Sequence, residues 1–199
     1  GGGDYCMKHE DEDKSCPFNV ASNQWLTGWL SRRQPVIYYE YPPNGPNWTI
    51  PAGFTKRYHD YIAFTKKMGV CGWSGECQGP RESSALFLYL KARWLWNADE
   101  NPDALIKDFC LHQYGPATST MIKYYDAFDR AIQEVPGHAM YGGWALLLSE
   151  ASVRQLSAML EQAQKQAQTP LHKKHVAWMQ TAMKNLVELR AKNTPKKTN

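Results

Sequence analysis

The chain has 199 residues, a net charge of +4 and 43% hydrophobic residues, enough for one medium domain or a small domain with an appendage, and too apolar for wholesale disorder. Much of the positive excess lies near the C-terminus, in Arg190, Lys192, Lys196 and Lys197, a short Pro-broken tail that reads as solvated and argues against a nucleic-acid partner, which requires a broad basic face. No run approaches membrane-span length, and no membrane partner is expected.

The spacing of Phe18, Trp25, Leu26 and Trp29 predicts a helix near 18–31. "VIYYEY", Val36 to Tyr41, reads as a strand stopped by Pro42 and Pro43, and Phe54 to Met68 carries a helical apolar face ended by Gly69. "VCGW" is a short buried strand with "GECQGP" as its exit loop, and a thick apolar helix runs from Glu82 to Trp96. Asn101 and Pro102 open a helix that ends at Gly115; Pro116 opens the next, to about Glu134. "VPGHAMYGGWALLL" reads as irregular, Ser149 caps a polar helix to about Gln168, and Thr169-Pro170 starts the last helix, to about Lys192. The alternation up to Trp96 argues for a parallel sheet, and everything after it for a helical extension. Neither repeats nor heptads are present.

In parallel α/β architectures functional residues gather at the C-terminal ends of the strands. Glu40, at the tail of "VIYYEY", and Glu76, just past "VCGW", meet that criterion. If both face one crevice they have the spacing that glycosidic chemistry needs, one protonated as general acid and the other ionised as nucleophile or base. Glu76 is the candidate acid/base. Each carboxylate also has a plainer reading: Glu40 as a structural group hydrogen-bonded within the sheet, Glu76 as a loop residue capping a helix. Thirteen per cent aromatic content with eight Trp fits either a bulky core or a cleft that stacks flat ligands. Trp94 and Trp96 read as packing residues.

Five cysteines, Cys6, Cys16, Cys71, Cys77 and Cys110, show no C-x-x-C spacing, so a zinc or thioredoxin site is not expected, and no metal or other cofactor is assigned. Cys6 and Cys16 flank the acidic run "HEDEDK", and a disulfide closing that loop is one arrangement the sequence leaves open. His9 lies beside Cys6 and Asp4. His138 sits in a Gly-rich loop near Tyr141 and Trp144. His59 and His112 fall within helices. Nucleophile-elbow, phosphate-loop and dinucleotide signatures are all missing.

"GVCGWSGECQGP" followed by "LYLKARWLWNADENPDALIKDFCLHQYGPA" resembles a bacterial glycoside-hydrolase-like domain-of-unknown-function family related in architecture to the α-glucuronidases and β-hexosaminidases. The carriers are Ala92 to Asn97, Asp103 to Phe109 and Tyr114 to Ala117, together with "DYCMKH" and "CPFN" near the start; Asp4 stands where the family usually has Glu. The resemblance covers roughly Asp4 to Arg130. It implies the C-terminal portion of a (β/α)8 TIM-type barrel in residues 1–115, with an α-helical extension in 116–199. It also implies a carbohydrate-active site, with Glu76 and Glu40 as the carboxylates and Tyr39, Trp73, His9 and Asp4 shaping a glycan or glycoside substrate. A chain starting late in such a barrel leaves sheet edges to cover. The expected partner is therefore the missing N-terminal half or another copy of the chain, and the expected location is secreted or periplasmic. Two other functions compete with hydrolysis: a non-catalytic carbohydrate-binding module that keeps the aromatic crevice, and a structural fragment.

Overall fold

Cys16 and Pro17 start the first helix, α1 (Pro17–Leu30), because proline at a first helical position loses no hydrogen bond and presets φ. In the computed structural model, which describes residues 5–40, 49–75, 81–139 and 143–193, only Asn19 and Leu26 of α1 are buried; Trp25 and Trp29 are exposed and meet edge to face. Strand β1 (Ile37–Glu40) follows, then α2 (Thr55–Met68), then β2 (Gly72–Gly75). Gly69 ends α2 in the left-handed region, at φ 109°, where a side chain would be strained. The strands pair in parallel with Tyr38 opposite Trp73 and Glu40 opposite Gly75, so β1, α2 and β2 make one βαβ unit.

A 3-10 turn at Arg81–Ser84 leads into α3 (Ala85–Trp96). Helix α4 (Pro102–Tyr114) is capped by Asn101, whose side-chain oxygen accepts from the Ala104 N–H at 3.0 Å. A 3-10 turn at Gly115–Ala117 precedes α5 (Thr118–Gln133). The segment expected to be irregular contains a single helical turn, α6 (Trp144–Leu147). Ser149 caps α7 (Glu150–Gln166), and α8 (Pro170–Asn193) closes the chain order. Helices α4, α5, α7 and α8 pack together around Met121, Tyr124, Phe128, Leu156, Val176 and Leu186, and that core runs without a break into Tyr58, Leu90 and Trp94.

The expected C-terminal portion of a TIM-type barrel is not what forms. Among the described residues the sheet has two strands of four residues each, and the fold is mostly helical. A βαβ unit has the same local signature whether it stands alone or recurs around a barrel. Closure needs about eight strands with matched tilt, and from Ala85 onward the apolar residues recur at helical spacing and are buried against other helices. Residues 5–16, which include most of the "DYCMKH" stretch that carries the resemblance, are turns held by side-chain bonds. The barrel expectation does not hold.

Candidate functional site

Strand pleat decides what each predicted residue faces. Tyr38 and Glu40 share one face of β1, and their partners Trp73 and Gly75 share that face of β2. It is the face covered by helices. Tyr38 and Trp73 pack with Tyr61 of α2 at centroid distances of 4.9 to 5.8 Å, and Lys91 of α3 reaches the Glu40 carboxylate. The Lys91 ammonium also lies 5.9 Å from the ring centroids of Tyr58 and Trp73. Burial pushes the Glu40 carboxyl up to about 7, with Lys91 pulling the other way. Gly75 leaves room beside this pair: a Cβ there would meet Lys91 Nζ at 2.8 Å and the Glu40 carbonyl oxygen at 3.1 Å.

Ile37 and Tyr39 point to the opposite face and are exposed. Glu40 and Tyr39 are therefore divided between the two faces of the sheet. Glu76 and Asp4 lie outside the described residues. Trp73 is half-buried in the aromatic layer, and it also lines a cavity of about 440 Å³ with Ile62, Lys66, Trp94, Leu95 and Trp96. Trp94 is fully buried and donates its indole N–H to the Glu100 carbonyl at 3.2 Å. Trp96, expected to be a packing residue, is 93% exposed.

His9 is placed elsewhere, in a cluster with Cys6, Cys16 and His138 whose ligand-type atoms all lie within 4.8 Å of one another. Cys6 Sγ is 3.2 Å from His9 Nδ1, and Cys16 Sγ is 3.6 Å from His138 Nδ1. Both thiols are buried and neither is in a disulfide, so the loop closure that the sequence left open is not made. Burial raises the Cys16 thiol above its usual range, and the neighbouring Cys6 adds to the effect. Side chains and one cross-loop bond tie down the backbone around the cluster. The Asn19 side chain accepts from the Cys6 N–H at 2.8 Å and donates to the carbonyls of Cys6, His9 and Glu10. Arg57 donates to the His9 carbonyl at 2.7 Å and forks onto both Asp11 oxygens at 2.7 Å. The Met7 N–H donates to the Ala139 carbonyl at 3.2 Å, tying the loop of His138 to that of Cys6.

The sequence reading missed this cluster. Its local half was visible as Cys6-x-x-His9 with Cys16 seven residues on; the partner that completes it, His138, is far along the chain and follows Gly137, which turns the backbone at φ 72°. Residues 7–127, more than half of the chain, match a family model described as a domain of unknown function (DUF4838). The chain belongs to the DUF4838 family. Comparison with curated proteins and with solved structures found no match. The DUF4838 match takes in His9, Cys16, β1, β2 and Trp96, and ends before His138. Among the described residues no helix is long and apolar enough to cross a membrane.

Proposed function

We propose that the chain is a carbohydrate-active protein that holds a glycan without cleaving it, in the cavity walled by Trp73, Trp94 and Trp96. The observation that supports this is Trp96: a large ring left 93% exposed while lining a cavity of about 440 Å³ is a stacking surface for the apolar face of a sugar. Lys66 on the same wall supplies a donor for ring hydroxyls. The kinship with glycoside hydrolases, and a secreted or periplasmic setting, belong to this proposal.

Binding is favoured over hydrolysis because of Glu40. Glycosidic cleavage asks for two carboxyl groups facing one bound sugar, and Glu40 faces the helix layer with Lys91 on its carboxylate. A glycan array run with the full chain, paired with a reducing-end release assay on every bound glycan, tests the reading. The expected result is retention of at least one glycan class with no sugar released. A chain indifferent to every glycan overturns it.

A further inference from the structure

We propose that Cys6, His9, Cys16 and His138 form a closed, structural zinc site that fastens the N-terminal turns to the loop between α5 and α6. The proposal rests on the cluster alone and is independent of the glycan reading.

The donor chemistry selects the metal class. Two thiolates and two imidazoles in a tetrahedral set suit zinc, and a site filled by four protein ligands leaves no open position for a substrate. Around a tetrahedral zinc, with bonds of about 2.3 Å to sulfur and about 2.0–2.1 Å to nitrogen, ligand atoms lie about 3.3–3.8 Å apart. The Cys6–His9 and Cys16–His138 separations, 3.2 and 3.6 Å, are close to those values, and the whole set is confined within 4.8 Å. Zn²⁺ would displace the two thiol protons into solvent and leave a centre of zero net charge, which explains how two thiolates and a dication can sit among buried groups.

The surroundings are those of an organised ligand set. Cys16 is the N-cap of α1, so its backbone is anchored at the helix end. The ring of His138 is held edge-on between His9, at 4.8 Å, and Phe18, at 4.7 Å. Asn19 and Arg57 fix the carbonyls of the ligand-bearing turns, a supporting layer of the kind that orients metal ligands. The placement also gives the metal a task. Residues 5–16 have no helix or strand of their own, and His138 belongs to a part of the chain beyond the family match. One ion would cross-link the family domain to the helices that follow it, closing a long loop at the point where hydrogen bonds alone would have to do so.

The test is metal analysis of the full chain, expressed without a histidine tag and purified under reducing conditions, followed by exchange into Co²⁺. The expected result is about one zinc per chain, and cobalt spectra with tetrahedral d–d bands and a thiolate-to-cobalt charge-transfer band. Cys16→Ser and His138→Ala should each lower bound metal to near background, His138→Cys should keep it, and Cys71→Ser should leave it unchanged. If the first two variants fail to fold, the cobalt spectrum of the wild type decides: a tetrahedral thiolate spectrum supports the site, and an octahedral one without the thiolate band overturns it. Equal metal content in wild type, Cys16→Ser and His138→Ala also overturns it, as does a reduced wild type that takes up neither zinc nor cobalt.

Discussion

Lys91, on α3, reaches across the helix layer to the carboxylate of Glu40 at the end of β1, and both side chains are largely withdrawn from solvent, at 14% and 9% exposure. This contact turns a strand-end carboxylate, the kind of residue that catalyses in many parallel α/β proteins, into part of the packing. Removing the cation alone should be costly: Lys91→Met leaves a buried carboxyl without its partner, and a loss of about 3–5 kcal/mol is expected in denaturant unfolding above pH 7. Gly75→Ala should produce a smaller loss of the same kind by pushing the ammonium aside.

Glu40 also predicts a pH dependence. Its folded value, raised by burial to about 7, lies above the ordinary 4.5. Below pH 4.5 the carboxyl is protonated in both states and its contribution to stability is fully present. As pH rises towards 7 the unfolded chain ionises first, so that contribution is lost, in total about 3 kcal/mol from the size of the shift. Asp129, a half-buried residue whose carboxyl is withdrawn from solvent and raised to about 6, acts in the same direction. Glu40→Gln should therefore flatten the decline between pH 4.5 and 7 without abolishing it, in urea melts taken across that range. Superimposable pH profiles for the two proteins would show that Glu40 carries no such shift.

Trp94 and Trp96 are two residues apart and should behave in opposite ways. Trp94→Ala empties a fully buried site and should cost about 3–5 kcal/mol. Trp96→Ala should change stability by less than about 0.5 kcal/mol. Its effect should appear in glycan affinity, weakened about tenfold by loss of the stacking ring. Paired chemical melts and glycan titrations separate the two roles.

Gly115 joins α4 to the following turn at φ 54°, and a Cβ there would meet the His172 ring at 2.3 Å. Gly115→Ala should carry a backbone cost of about 1–3 kcal/mol together with the clash. Adding His172→Ala should recover the clash and leave the backbone cost. Full recovery in the double variant would assign the whole effect to contact with His172.

Much of the helical framework was legible because its punctuation is chemical. Asn101, Pro102, Ser149 and Pro170 start helices, and Gly69 stops one, where elementary capping rules place them. The barrel was misread because strands Ile37–Glu40 and Gly72–Gly75 with α2 between them satisfy every local criterion of a barrel repeat, while strand number is a property of the whole chain. Glu40 was found at its strand end, but the face it occupies follows from Tyr38 two residues earlier, whose ring turns toward Tyr61. The cysteine–histidine cluster was half legible: Cys6 and His9 are near neighbours in sequence, and only folding brings Cys16 and His138 within 3.6 Å.

Retention without cleavage is the central claim, and it is tested most directly by measuring binding and turnover together on one array-identified glycan for the wild type, Trp96→Ala and Glu76→Gln. The account predicts that Trp96→Ala loses affinity, that Glu76→Gln binds as the wild type does, and that none of the three releases sugar. Sugar release by the wild type that disappears in Glu76→Gln would contradict it.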